Sequence, residues 1–271
     1  MPASRSASRD IKSTRPARRP ARRWPFILLG LIVASAAVIF TLPASLAARF
    51  MPAQIHAEDF SGTLLHGAAG KISVNSRDAG AIEWQVHPLS LLRLAVLADI
   101  HWVKVGFLID GTVELKAGGF AARDIKGGGP VEDLQSLGFA AGWRGSVALT
   151  FSIIKGTFAK LEAAEGKIDV ANISSFSIAE GSDLGSYELQ LGPQSIAPDG
   201  SISATLNDKG GPMEAQAQIR FSPATRTGML SGTLKERPEA SPALRNQLSN
   251  LSQLRPRDAS GRFPVELEFT F

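Results

Sequence analysis

Residues 201–221 read SISATLNDKGGPMEAQAQIRF. Apolar side chains fall on every second position at Ile202, Ala204 and Leu206, and again at Ala215, Ala217, Ile219 and Phe221, with Ser, Thr, Gln and Arg between them. A period of two sends alternate side chains to opposite faces of an extended chain, so each run reads as a strand wetted on one side. Asn207-Asp208-Lys209-Gly210-Gly211 reads as a turn, because Asn and Asp tolerate turn geometry and glycine supplies positive φ. Two strands joined so closely are antiparallel neighbours.

The same pattern extends in both directions. Trp143–Phe151, Thr157–Leu161, Lys167–Val170 and Ser186–Leu191 alternate, separated by turns predicted at Glu165-Gly166, Gly192-Pro193, Pro198-Asp199-Gly200 and Ser222-Pro223. Thr227–Leu234 follows. The chain then ends in Phe263–Phe271, whose Val265, Leu267, Phe269 and Phe271 share a face. Between these last strands lies one short C-terminal helix: Ser241 is placed to cap it, Pro242 holds its first position, Leu244, Leu248 and Leu251 form its apolar stripe, and it stops before Pro256. Toward the amino terminus, strands are predicted at Phe60–Leu64, Lys71–Val74 and Ala81–Val86, with one helical turn at Pro88–Leu92. Asp110-Gly111 reads as a hairpin turn opening a strand at Thr112–Ala117, Gly127-Gly128-Gly129-Pro130 as a break, and Val131–Leu137 as a short connector. Residues 49–271 are therefore expected to form an all-β, mainly antiparallel domain.

Ahead of it, Trp24–Ala48 reads WPFILLGLIVASAAVIFTLPASLAA and carries no charge. At ~1.5 Å per helical residue it is long enough to cross a hydrocarbon core of ~30 Å. Trp24 sits as an interfacial aromatic; Phe26, Leu28, Leu29, Ile32, Val33, Ile39 and Phe40 surround the axis; Pro43 is where the helix kinks or ends. Residues 1–23 hold eight basic residues against the single acid Asp10, with Arg18, Arg19, Arg22 and Arg23 next to the apolar run. Such a cluster stays in the cytoplasm, so the expected organisation is a cytoplasmic leader 1–23, a single transmembrane anchor 24–48, and a periplasmic domain 49–271. A cleaved signal peptide is the rival reading, given the small residues Ser45-Leu46-Ala47, but the apolar run exceeds the usual ~7–15-residue core of such peptides.

Of the 29 basic and 25 acidic residues, the part beyond the leader holds 21 and 24, so the pI near 9.6 belongs to the leader, and the domain offers no phosphate-binding surface for nucleic acid. The absence of cysteine removes disulfides, thiol catalysis, zinc–thiolate sites and iron–sulfur clusters. His56, His66, His87 and His101 have no zinc-enzyme spacing, Gly181-Ser182-Asp183-Leu184-Gly185 is not a nucleophile elbow, and the glycines at 127–129 lack the Lys-Ser/Thr of a phosphate loop. No catalytic residue, cofactor, metal site or small-molecule substrate is expected. What remains is an anchor and a sheet with edge and face for docking.

Gly62-Thr63-Leu64-Leu65-His66-Gly67, then Trp84 with Pro88, Leu91 and Leu92, then Asp258 with Gly261-Arg262 before the final strand, occur in an order that resembles protein N of the bacterial type II secretion system. The resemblance runs over nearly the whole chain and departs at Leu65, where that family favours an aromatic. It implies a non-enzymatic, inner-membrane accessory component in the export of folded proteins. Its implied partners are the inner-membrane platform proteins and the periplasmic region of the secretin. Two other classes compete: an AsmA-like envelope protein holding lipid in an apolar sheet groove, for which a continuous apolar concave face would speak, and a periplasmic hydrolase with a site assembled from distant residues.

Overall fold

Alternation is realised at a scale that no single hairpin announces. The computed structural model describes residues 38, 40–51, 54–75, 77–137, 142–176, 178–254 and 256–270. Its strands are β1 (Ile55–Gly62), β2 (His66–Val74), β3 (Arg77–Val86), β4 (Ala95–Lys104), β5 (Phe107–Lys116), β6 (Gly119–Pro130), β7 (Trp143–Gly156), β8 (Leu161–Ser175), β9 (Ile178–Leu191), β10 (Ile202–Gly210), β11 (Met213–Ser222), β12 (Thr227–Glu236) and β13 (Phe263–Thr270). Each pairs antiparallel with the next, so the spatial order of this 13-stranded sheet is the order of the chain, and β1 and β13 are its edges. Open twisted sheets rarely exceed ~10 strands without curling, splitting or flattening.

An α-helix, α1 (Pro242–Leu254), lies in the chain between β12 and β13. Ser241 caps it as its sequence predicts: Oγ accepts from Leu244 N at 3.1 Å, and the Ser241 carbonyl accepts from Arg245 N at 3.0 Å. Leu244 and Leu248, 2% and 3% exposed, pack with Leu184, Ala240 and Phe263 into the buried cluster, against which Trp143, Ile173, Met213 and Leu234 lie. Leu251's side chain lies outside the described residues.

Several expected breaks are strand. Asp110-Gly111 lies inside β5, whose turns are at its two ends. The irregularity falls across the ladder, where Asp110 pairs with Lys126 and Thr112 with Arg123, leaving an extra residue on β6 at Asp124, φ 52°. The run Gly127-Gly128-Gly129-Pro130 closes β6: all four residues pair with β7, and Gly127 and Gly128 pair with β5 as well. A side chain at Gly129 would run into the Phe107 ring, so glycine there serves close packing. Glu165-Gly166 likewise sits inside β8, with Gly166 under the Phe151 ring. Thr157–Lys160, expected as strand, is instead the β7–β8 turn, held by the Thr157 hydroxyl accepting from Lys160 N at 3.1 Å.

Phe40–Phe271 makes one compact unit. The Trp24–Ala48 stretch does not continue as one helix to its end: Phe40 and Thr41 are helical, Pro43 is extended (φ −67°, ψ 146°) and bridges Thr63, and Ala44–Phe50 is a 3-10 helix against β1 and β2. Proline ends the helix because it has no N–H to donate, and Ala44, 1% exposed, is apolar because it is covered by the sheet. The leader arginines Arg18, Arg19, Arg22 and Arg23 and the residues Trp24, Phe26, Leu28, Leu29, Ile32, Val33 and Ile39 lie outside the described residues. No helix among the described residues is long and apolar enough to cross a membrane.

Candidate functional site

The positions read as a motif fall into two groups. Gly62 pairs with Gly67, and Gly67 with Trp84. The β1–β2 turn between them is tied by Thr63, whose hydroxyl accepts from His66 N at 3.1 Å. Trp84 Nε1 donates to Leu64 O at 2.9 Å, and its ring lies over Gly67, whose other neighbour is Ala44. Leu64 N donates to Leu42 O at 2.8 Å and Val86 N to Leu65 O at 2.7 Å. Seven motif residues thus gather where the chain enters the sheet, because Pro88, Leu91 and Leu92 follow directly on β3 in a 3-10 turn, Pro88–Arg93. Gly261 and Arg262 are apart from them, in the α1–β13 connection, where Arg262 Nη2 donates to Glu214 Oε1 at 2.7 Å. Asp258 shapes that turn by accepting from Ser260 N and Arg262 N, each at 2.8 Å. These contacts build the fold and present no reacting group.

The second feature is one that register alone reveals. Opposed residues in an antiparallel ladder lie on the same face. A single row of opposed residues crosses the entire sheet as Phe60, Ala69, Ile82, Trp102, Ile109, Gly127, Leu149, Ile168, Leu189, Leu206, Ala217, Gly232 and Val265, one per strand and every one apolar. Two cavities open along it. One, of about 710 Å³, is lined by Leu206, Ala217, Leu230, Val265 and the α1 leucines 244 and 248; the other, of about 550 Å³, by Trp102, Ile109, Val131, Leu134, Leu149 and Ile168. Trp143 and Ile173 line both, so together they form one apolar trough along this face. Tyr187 also lines it, and its hydroxyl lies 2.5 Å from Leu184 O and 3.0 Å from Met213 O, two acceptors for its proton. Burial, with Asp208 and Asp183 nearby, pushes its pKa up, so it stays protonated.

The opposite face is polar. Lys167 and Lys209 interleave with Asp169 and Glu188 at 3.0 to 3.4 Å, exposed pairs worth little individually. Two histidines also find carboxylates there: His87 Nε2 lies 2.8 Å from Asp99 Oδ2, and His101 Nδ1 2.5 Å from Asp110 Oδ1. The bond to Asp110 raises the His101 pKa, while the Thr112 hydroxyl, more than His87, lowers that of Asp99. Spacing gave no signal for these pairs because both are cross-strand or loop-to-strand contacts. Among the described residues no three His, Asp or Glu side chains are arranged to hold a metal ion.

A family model described as Type II secretion system (T2SS), protein N, matches residues 53–266. The chain belongs to that family. No curated protein and no solved structure matches it. As a type II secretion protein N, the chain is a component of an envelope machinery and works with its other components, in a family not known for enzymes. The matched residues run from just before β1 into β13, so the family's unit is the sheet itself together with α1.

Proposed function

We propose that the chain is an accessory component of type II secretion, tethered in the bacterial inner membrane with residues 1–23 in the cytoplasm and the sheet domain in the periplasm, where it docks on other secretion components. The supporting observation for the tether is continuity. Leu42 and Ala44 are built into the sheet domain, so cleavage after Ala47 would remove packed residues. Ending the span before Pro43 leaves Trp24–Leu42, whose 19 residues at ~1.5 Å each extend about 28 Å, close to the ~30 Å of a hydrocarbon core. Inner-membrane lipid and the platform proteins or secretin are then the partners. For docking, an unpaired edge at β13 and a trough open along the sheet are the surfaces on offer.

The apolar row favours a second reading of the same trough, the AsmA-like one, in which lipid acyl chains occupy it. One experiment separates the two. A photo-crosslinking residue at Ala217, in cells secreting through this system, attaches to another secretion component if the trough docks protein and to phospholipid if it holds acyl chains. Deleting the gene should trap exoproteins in the periplasm; normal export would refute the secretion role itself.

A further inference from the structure

Three leucines stand almost wholly in solvent on the turn that follows β3: Leu89 is 76% exposed, Leu92 82% and Leu94 90%. The turn is built, not loose. Pro88 opens it, the Ser90 hydroxyl donates to His87 O at 2.6 Å and accepts from Leu97 N at 3.0 Å, and Leu94 N donates to Leu91 O at 3.1 Å. Leu94 has φ 53°; of the described non-glycine residues at positive φ, Asp59, Asn75, Asp124, Asn172 and Arg226 are polar and Leu94 alone is apolar. Asparagine or glycine would fit that backbone with less strain, and folding gains nothing from a leucine held in water.

The place of the turn supplies the reason. Leu42, the last residue before Pro43, is hydrogen-bonded to Leu64, whose neighbour Leu65 is bonded to Val86, two residues before the turn begins. At ~4.8 Å between strands the leucines are about 10–15 Å from the point where the chain joins the sheet. Leu42 already belongs to the domain, so a span that ends there is followed by no linker. If Trp24–Leu42 is the span, this end of the sheet is held at the membrane surface. Arg93, exposed between Leu92 and Leu94, adds a cation at the height of phospholipid phosphates.

We propose that Leu89, Leu92 and Leu94 dip into the periplasmic leaflet of the bilayer that carries the anchor. The inference rests on the anchor reading above, and the test keeps the two apart. The chain contains no cysteine, so single substitutions Leu89→Cys, Leu92→Cys, Leu94→Cys, Val105→Cys and Ile32→Cys in the full chain each accept one environment-sensitive nitrobenzoxadiazole fluorophore. Val105, 86% exposed, is the control at the far end of β4, about 30 Å along a strand of ten residues. In vesicles of phosphatidylethanolamine and phosphatidylglycerol, the three leucine sites should emit at shorter wavelength than Val105, resist iodide several-fold better, and be quenched by lipids doxyl-labelled near the headgroup. Leucine sites open to iodide while Ile32 is quenched from the bilayer centre would overturn the proposal and leave the anchor standing. Ile32 open to iodide would remove the anchor and the proposal together. Protection from iodide that grows with protein density and owes nothing to doxyl lipid would mean a second copy covers the turn, and would also overturn it.

Discussion

Gly67→Ala tests whether the junction between chain and sheet is as tight as its geometry states. An alanine Cβ at this position falls 2.5 Å from the Thr63 carbonyl oxygen, 2.7 Å from Trp84 Cζ2 and 2.9 Å from Ala44 Cβ, well inside van der Waals contact. Neither side-chain neighbour is a free end: the Trp84 ring is pinned by its bond to Leu64 O, and Ala44 is 1% exposed beneath the sheet. Overpacking costs about 1–3 kcal/mol, of which ~0.4–1 is offset because alanine reduces the freedom of the unfolded chain. With a backbone carbonyl among the clashing atoms the cost lies at the upper end of that range, so the net loss is about 2–2.6 kcal/mol, which for a domain of this size lowers Tm by about 4–10 °C. Thermal unfolding of the full chain followed by circular dichroism reads it. Trp84→Phe removes one of the three clashing atoms and also the bond to Leu64, so the double variant should be more stable than the two single losses predict, by at least ~0.5 kcal/mol. An unchanged Tm in Gly67→Ala, or strict additivity in the double variant, would refute the reasoning.

The remaining predictions concern the helix and the polar face. Leu244→Ala should destabilise the domain by about 2.7–5 kcal/mol, since its side chain is 2% exposed among Leu184, Ala240, Leu248 and Phe263; urea unfolding checks it, and a loss below ~1 kcal/mol would mean α1 does not cover the trough. Ser241→Ala should cost ~1 kcal/mol in the same assay by removing the cap on Leu244 N, while Ser241→Asn should retain it. His101 should titrate above the ordinary value of 6.5 in an NMR pH series, because Asp110 accepts its Nδ1 proton, and Asp110→Asn should bring it back. The sign follows from the raised folded pKa: the His101–Asp110 pair stabilises the fold fully below pH ~6.5, and that contribution fades as pH rises through the higher folded value.

Strand after strand was legible from alternation because one face of this sheet is apolar and the other wet, and a one-residue slip would reverse every side chain. Ser201–Leu206, Ala215–Phe221 and Thr227–Leu234 fall inside β10 to β12, bar Ser201 just ahead of β10, and Ser241, Pro242, Leu244 and Leu248 act in α1 as their spacing states. Glycine marks turns at Gly192, Gly200 and Gly261 as its sequence context predicts, but it misleads inside strands, including residues 207–210, which belong to β10 and not to a turn. At Gly111, Gly129 and Gly166 the chain stays extended, and a Cβ there would meet Ile125, Phe107 or Phe151 from a neighbouring strand. A local reading assigns glycine to turns for its conformational freedom; here its missing side chain admits a bulky partner that only the paired sheet brings near.

The candidate site divides along the same line. Gly62, Thr63, Gly67, Trp84 and Pro88 were legible as a group, because they lie within a short span of chain whose turns fold it back on itself, and their bonds are local. The apolar trough was not, since each strand contributes one or two residues to it and the row from Phe60 to Val265 depends on twelve registers that no stretch of sequence contains. Leu89 and Leu94 passed unnoticed for a different reason: a leucine in a short turn reads as part of a core until its exposure is known. The two features hold opposite relations to stability. Filling the trough with side chains would add apolar burial, and replacing the exposed leucines with polar residues would cost the fold nothing, yet the chain does neither. Surfaces that folding does not need are where a type II secretion protein N is free to meet the other components of its machinery.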